Sequence, residues 1–407
     1  MRSIVINGGV PIHGRVSVSG SKNAALPIIF STVIIDGVSR IENLPDIGDV
    51  RVALDIIREF GARIFKSGDV TLIDTTELSY TTPNVNSVCR IRASTYLIGA
   101  CLSRFGVSEI MDFGGCNFSE RPIDLHLAAA RALGAEFDGK ILKAKALLGG
   151  EINLPMPSVG ATVNAILLAT SAEGETVIRG SAREPHIDAL IDFLVSAGAD
   201  IRRRESDIII NGRKLHGGKT RIPGDMIEAG TFLALGALSR EGITVTGADT
   251  EELSAVLGAL SSLGAEVSVT DGVITTRRGK KGNYAELVAE PYPGFPTDLQ
   301  PVFSVLMHVS GGKITDNVWR ERFGYLNSLS HFGLISERES NSSRIYPSVL
   351  KSATVSAPDL RGGMACIMAA LLAKGRSTVG SAHIIERGYE NLEEKLCALG
   401  ADFKNLG

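Results

Sequence analysis

Six times along the 407-residue chain, a helical stretch ends in an apolar residue or alanine, then glycine, then a small or apolar residue. The instances are Phe60-Gly61-Ala62, Leu133-Gly134-Ala135, Ala197-Gly198-Ala199, Leu263-Gly264-Ala265, Phe332-Gly333-Leu334 and Leu399-Gly400-Ala401, with glycines 73, 64, 66, 69 and 67 residues apart. One helix that stops at glycine is ordinary C-cap chemistry. Six at near-constant spacing are an internal repeat, and a repeat dictates the architecture. Each unit carries an earlier helical stretch rich in small and apolar residues, over 23–33, 92–105, 161–172, 227–239, 298–309 and 359–373. The unit reads helix, strand, helix, strand, turn, strand. Its clearest hairpin joins 266–269 to 273–276 through Asp271-Gly272, a dipeptide suited to tight turns.

The sixth unit stops soon after Asp402-Phe403, so the strands expected at 3–6 and 15–19 are read as completing it. Six units divide as three and three. The expected fold is α/β: two inverse α/β-barrel-like domains, each of three pseudo-symmetric repeated units, with a ligand-binding cleft between them. Residues 21–224 form one domain, and residues 1–20 with 225–407 form the other. The junctions at Gly20 and Gly224 suit a hinge.

Net charge is −3 and no long basic run occurs, which speaks against a nucleic-acid partner. The cysteines (Cys89, Cys101, Cys116, Cys366 and Cys397) include no CxxC pair, and the seven histidines are scattered. A disulfide framework, a zinc site or another metal centre is therefore not expected. The longest nearly apolar run, 24–35, is too short to span a bilayer, and the N-terminus lacks a signal-peptide core. A reduced cytoplasm is the expected compartment, with no membrane partner.

Helix N-termini carry unpaired N–H groups and partial positive charge, so they suit anions. In this chain they come with cations nearby. Lys22 opens the first helical stretch and Arg92 the next. Arg121 precedes a third, Arg361 opens the last apolar one, and Arg322 and Arg387 stand before late helices. If the units are pseudo-symmetric, these six converge on one region, where they would hold a small, multiply charged anion. Gly114-Gly115-Cys116 with Arg121-Pro122-Ile123-Asp124-Leu125-His126 adds a thiol before a helix start and an arginine, a placement that lowers a thiol pKa. Pro122 is expected in the first turn of that helix, whose apolar side reads as Ile123, Leu125 and Leu127. The alternative for Cys116 is a packing cysteine on a turn. Ser158-Val159-Gly160-Ala161-Thr162 reads as a plain N-cap.

Taken together, Gly20-Ser21-Lys22-Asn23-Ala24-Ala25-Leu26-Pro27, the Cys116 stretch, Ser158-Val159-Gly160-Ala161-Thr162, Pro293-Gly294-Phe295-Pro296-Thr297-Asp298, Asp359-Leu360-Arg361 and Arg387-Gly388-Tyr389 resemble the UDP-N-acetylglucosamine 1-carboxyvinyltransferase family. These are the enolpyruvyl transferases of the first committed step of peptidoglycan synthesis, related to 5-enolpyruvylshikimate-3-phosphate synthase. The resemblance runs in order over essentially the whole chain. It implies transfer of the enolpyruvyl group of phosphoenolpyruvate to the 3-hydroxyl of UDP-N-acetylglucosamine, by addition and then elimination, with no metal or organic cofactor. It further implies that Asp298 is the base at the sugar hydroxyl, and that Cys116 protonates or captures phosphoenolpyruvate. Lys22, Arg121 and Arg387 would contact phosphate, and Arg322 and Arg361 carboxylate. Asn23 would contact the sugar, and Pro122, Ser158, Val159, Gly160 and Val318 the nucleotide, with Arg92 among the substrate-binding residues. A helix-capping role for Asp298 is the alternative and is compatible with the first.

The chain departs from the family's pattern at Met156, where a lysine is usual, at Tyr292, where a histidine is usual, and at Arg320, where an acidic residue is expected. All three lie on the acceptor side. They motivate two alternatives: a paralogous transferase acting on another uridine nucleotide, and a catalytically silent nucleotide-binding regulator.

Overall fold

The computed structural model describes residues 2–114 and 122–406. The chain divides into two compact units. One holds residues 20–114 and 122–223 and is called the Lys22 unit below. The other, residues 2–19 and 224–406, is the Asp298 unit. Each has its own hydrophobic core.

The repeat seen in sequence is a repeat of sheets. In the Asp298 unit, three four-stranded sheets share one pattern: an edge strand runs parallel to its neighbour, and the next two strands are antiparallel. In the middle copy, Ala285–Ala289 lies parallel to Gly312–Asp316, which pairs antiparallel with Ser342–Tyr346 and that in turn with Ile335–Glu339. The Lys22 unit has two sheets of the same pattern and a three-stranded one, Val107–Glu109, Ile141–Lys143 and Glu136–Phe137, which has the antiparallel part alone among the described residues.

All six repeat glycines adopt positive φ, at 103°, 92°, 103°, 88°, 86° and 95°. Each lets the chain turn back so that the next N–H reaches a carbonyl five residues earlier, as in Ala265 N–H to Leu260 O at 3.0 Å. This closure satisfies helix-end carbonyls and aims the chain into its next strand. The repeat is therefore enforced by a backbone geometry that side chains resist. Asp271 and Gly272 both take positive φ, 50° and 73°, as a two-residue hairpin requires.

The helices are of two kinds. Lys22–Ser31, Leu97–Phe105, Val159–Ser171, Met226–Gly236, Gln300–Leu306 and Leu360–Leu372 are buried nearly all round; every residue from Leu360 to Leu371 is buried. The second kind buries one face, as Gly48–Glu59 does with Val52, Ala53, Ile56 and Ile57. The buried helices lack polar faces because they pack against other helices as well as against strands.

The N-terminal strands divide their work differently from expectation. Ser3–Gly8 completes the sixth unit, between Gly375–Gly380 and Asp402–Leu406. Gly14–Ser17 does not join it: it is the parallel edge of the fourth, beside Ile243–Thr246. Each four-stranded sheet has one parallel edge strand, and for the first copy it is Lys219–Arg221, far along the chain from its neighbour Val38–Glu42. No helix of the described residues is long and apolar enough to cross a membrane.

Candidate active site

Cys116 and Arg121 lie outside the described residues, as does Gly115. Pro122 is described and exposed, but the helix begins later than expected. Its N-cap is Ile123, whose φ of −110° and ψ of 12° are not helical, and the helix runs Asp124–Ala132. Asp124 in the first turn complements the helix dipole. The buried face also differs. Ile123, Leu125 and Leu127 only flank the core, while His126, Ala129, Ala130 and Leu133 face it. That is helical spacing, and reading the histidine as part of the apolar stripe would have found it.

His126 is 5% exposed. Its Nδ1 lies 2.6 Å from Asn164 Nδ2. The amide of Asn164 is oriented by its other contacts: Oδ1 accepts from Gly99 N–H at 2.6 Å, and Nδ2 donates to Thr95 O at 3.0 Å. Nδ2 is therefore the donor and Nδ1 the acceptor, so the imidazole is neutral with its proton on Nε2. Burial, then the charge of Arg92, push the His126 pKa down to about 4, with Asp124 pulling the other way. The ring fills the space beside Gly160, where a Cβ would come within 2.9 Å of Cε1.

Gly160 belongs to the first turn of Val159–Ser171, which Ser158 caps by accepting from Ala161 N–H at 3.4 Å. The capping reading of Ser158 thus holds, and it leaves the positive helix end with a neutral cap. Ser21 does the same for Lys22–Ser31, accepting from Ala24 N–H at 3.3 Å. Lys22 Nζ lies 3.5 Å from Oδ2 of the buried Asp49, and Asn23 follows, half-buried. Arg92 opens a short 3-10 turn and donates to Phe113 O at 3.3 Å. Burial lowers its pKa, against the pull of Tyr96 and Asp112.

The Asp298 unit assembles charge more tightly. Asp298 Oδ1 accepts from Arg322 Nη1 at 2.6 Å, and Oδ2 accepts from Arg361 Nε at 2.9 Å. The side chains of Arg322 and Arg361 are 6% and 3% exposed, against 26% for Asp298. Two buried guanidiniums therefore hold one carboxylate that is more accessible than they are. Asp298 does not cap a helix. The N-cap positions here are Pro296 and Leu299, and neither makes a side-chain cap bond. A 3-10 turn, Thr297–Leu299, displaces the helix start beyond the Thr-Asp pair.

Around this group stand residues that the motifs named, together with Asp316 and Thr231, which the sequence alone did not single out. Asp359 caps Leu360–Leu372 by accepting from the N–H of Arg361 and Gly362, which fixes where Arg361 starts. Arg361 stacks over Tyr389 at 5.6 Å, and the Tyr389 hydroxyl meets Thr231 Oγ1 at 3.0 Å. Asp316 is fully buried, and Val318 follows it in a turn. Desolvation raises the Asp316 pKa, against its hydrogen-bond donors Thr297, Trp319 and Val318 and the charge of Arg322. Arg387 is half-buried in the turn before Leu392–Ala398. Of the six cations expected to converge, the structure brings Arg322 and Arg361 together on one carboxylate. Lys22 and Arg92 belong to the other unit. Among the described residues, no group of His, Cys, Asp and Glu is arranged to hold a metal ion.

The family profile of EPSP synthase (3-phosphoshikimate 1-carboxyvinyltransferase) matches residues 6–396. The chain belongs to the EPSP synthase family. Within this family it is 38% identical over 414 residues to UDP-N-acetylglucosamine 1-carboxyvinyltransferase of Halothermothrix orenii, with 100% of both chains covered. It is 40% identical over 411 residues to UDP-N-acetylglucosamine 1-carboxyvinyltransferase 3 of Caldanaerobacter subterraneus subsp. tengcongensis, with 99% of each covered. Among solved structures it resembles the enolpyruvyl transferase NikO of Streptomyces tendae, at TM-score 0.89 and 26% identity over 99% of both chains. EPSP synthase of Acinetobacter baumannii shares the fold, at TM-score 0.76 and 18% identity over 100% of both. The inverse α/β architecture with three repeats per domain is thus the family's own, and the chain is an enolpyruvyl transferase.

Proposed function

We propose that this enolpyruvyl transferase moves the enolpyruvyl group of phosphoenolpyruvate to the 3-hydroxyl of UDP-N-acetylglucosamine and releases phosphate, the first committed step of peptidoglycan synthesis in the cytoplasm. The observation that carries the reading is the Asp298 carboxylate held between buried Arg322 and Arg361, in a chain whose full-length relatives bear that activity in their names. Asp298 takes the proton of the acceptor hydroxyl as its oxygen bonds to C2 of phosphoenolpyruvate. The methylene carbon gains a proton, for which Cys116 is the donor. Loss of a proton from the resulting methyl group and departure of phosphate then restore the double bond. Placed donors and acceptors of this kind act by general acid–base catalysis.

Lys22, Arg121 and Arg387 are assigned to the phosphate, and Arg322 and Arg361 to the carboxylate of phosphoenolpyruvate. Asn23, Pro122, Ser158, Val159, Gly160 and Val318 are assigned to the acceptor, and Arg92 to substrate binding. The neutral caps Ser21 and Ser158 support this division, because they leave positive helix ends open to an anion.

The deciding experiment measures phosphate release from phosphoenolpyruvate with a panel of acceptors. Release with UDP-N-acetylglucosamine supports the reading; release with uridine monophosphate alone would sink it. Cys116→Ser should abolish turnover and block labelling by fosfomycin-like epoxides, and undiminished turnover would remove the thiol from the mechanism.

A further inference from the structure

We propose that Asp316 is a positioning residue of the transfer reaction, one buried carboxylate that sets both the Thr297–Arg322–Asp298 group and the turn carrying Val318. It ends the strand Gly312–Asp316, and its own N–H is tied to Asn341 O at 2.8 Å. From this fixed point its two oxygens reach different ways. Oδ2 accepts the Thr297 hydroxyl at 2.6 Å. Oδ1 accepts the N–H groups of Val318 at 2.9 Å and Trp319 at 2.7 Å.

The first arm determines the polarity of a hydroxyl. Threonine has one hydroxyl hydrogen, and here it is spent on Asp316. The Thr297 lone pairs are thereby left for Arg322 Nη1, at 3.3 Å. That same nitrogen donates to Asp298 Oδ1 at 2.6 Å. An amide in place of the Asp316 carboxylate would donate to Thr297 and force its hydrogen to turn, setting donor against donor at Arg322. The second arm folds the turn after the strand, as an aspartate does when it accepts main-chain N–H groups two and three residues on. Trp319 O then accepts Arg322 N–H at 3.0 Å, so both arms end on Arg322.

The assignment to catalysis rests on the proposed function, and the test separates the two. It uses Asp316→Asn, Thr297→Val and Asp316→Ala in the full chain, with steady-state kinetics in phosphoenolpyruvate and UDP-N-acetylglucosamine. Asparagine keeps an oxygen for the turn but loses the acceptor for Thr297. Asp316→Asn and Thr297→Val should therefore lower kcat by roughly 10- to 100-fold, the worth of a hydrogen bond to a charged group, with KM for the sugar nucleotide nearly unchanged. Asp316→Ala breaks both arms and should raise that KM as well. Trp319 is the sole tryptophan, so its fluorescence reports the turn directly. Acrylamide quenching should increase in Asp316→Ala and stay at the wild-type value in Asp316→Asn.

Wild-type kcat in Asp316→Asn, or equal kcat and KM losses in all three variants, would overturn the proposal. If the wild type shows no turnover with this acceptor, the functional reading fails alone. The clamp is then judged by Trp319 quenching and by the Tm losses of Asp316→Asn and Thr297→Val, which non-additivity supports and strict additivity overturns. Should Asp316→Ala not fold, the other two variants decide by the same criteria.

Discussion

The Lys22 unit and the Asp298 unit repeat the same sheets and buried helices, yet they put charge to opposite uses. Two of the buried helices in the Lys22 unit are capped by serine, Ser21 and Ser158. Two in the Asp298 unit are capped by aspartate, Asp225 and Asp359. A serine cap satisfies the helix N–H groups and leaves the positive end unneutralised, whereas an aspartate cap spends that charge internally. The cations follow the same division. Lys22 stands 3.5 Å from its carboxylate, while Arg322 and Arg361 are buried against theirs at 2.6 and 2.9 Å. The only histidine buried in the Lys22 unit, among the described residues, is neutral. In the Lys22 unit the helix caps add no negative charge, whereas in the Asp298 unit the caps are aspartates and two buried arginines are held by a carboxylate of the same unit.

The sharpest way to break this contrast is to remove the carboxylates one at a time. Asp298→Ala should cut kcat by roughly 10²-fold or more, as loss of a general base does, and should also lower Tm, because it takes a carboxylate from the buried Arg322 and Arg361. Asp49→Asn should cost clearly less, because Lys22 keeps its charge for the substrate. Equal losses in the two would abolish the distinction.

His126 tests the neutrality of the Lys22 unit. Its pKa is pushed from the ordinary 6.5 down to about 4, so between those values the folded chain binds fewer protons than the unfolded one. Stability is then lost as pH falls from about 6.5 to about 4, by on the order of 3 kcal/mol. Urea titrations across that window should show the loss in the wild type and a flatter acid limb in His126→Gln. An identical acid limb in the variant would mean that His126 is not the group responsible.

A smaller effect is expected at Gly160, whose added Cβ would press on the buried His126 ring. Gly160→Ala should destabilise by about 1–3 kcal/mol, the usual cost of overpacking, and should raise KM for the sugar nucleotide. A wild-type Tm would show that the ring can move aside. The least change is expected for Ser158→Ala, about 1 kcal/mol for a lost N-cap, read as a small fall in Tm.

Much of the fold was legible because its causes are local. The six glycines announce six helix ends, Asp271-Gly272 announces a hairpin, and the apolar runs announce buried helices. The destination of Gly14–Ser17 was not legible, since nothing within the strand names its partner, Ile243–Thr246. At the site, Asp298, Arg361, Lys22 and Ser158 stood out by motif, and Arg322 by its place before a late helix. Asp316 and Asp49 did not, because a lone aspartate at a strand end or in a helix turn looks like any solvated one until its burial is known. His126 was hidden by its neighbours: Leu125 and Leu127 drew the apolar face, although the spacing of 126, 129, 130 and 133 marks the true one.

The amino-acid sequence by itself determined the repeat, the family and the kinds of group available for chemistry, since all three reside in short stretches of neighbouring residues. Only the tertiary structure decided which charges meet. Asp298 finds its arginines 24 and 63 residues away, and His126 finds Asn164 38 residues away. Pairings at that range are selected by the packing of whole helices and sheets, where a buried charge or polar group is tolerated only with its partner in place.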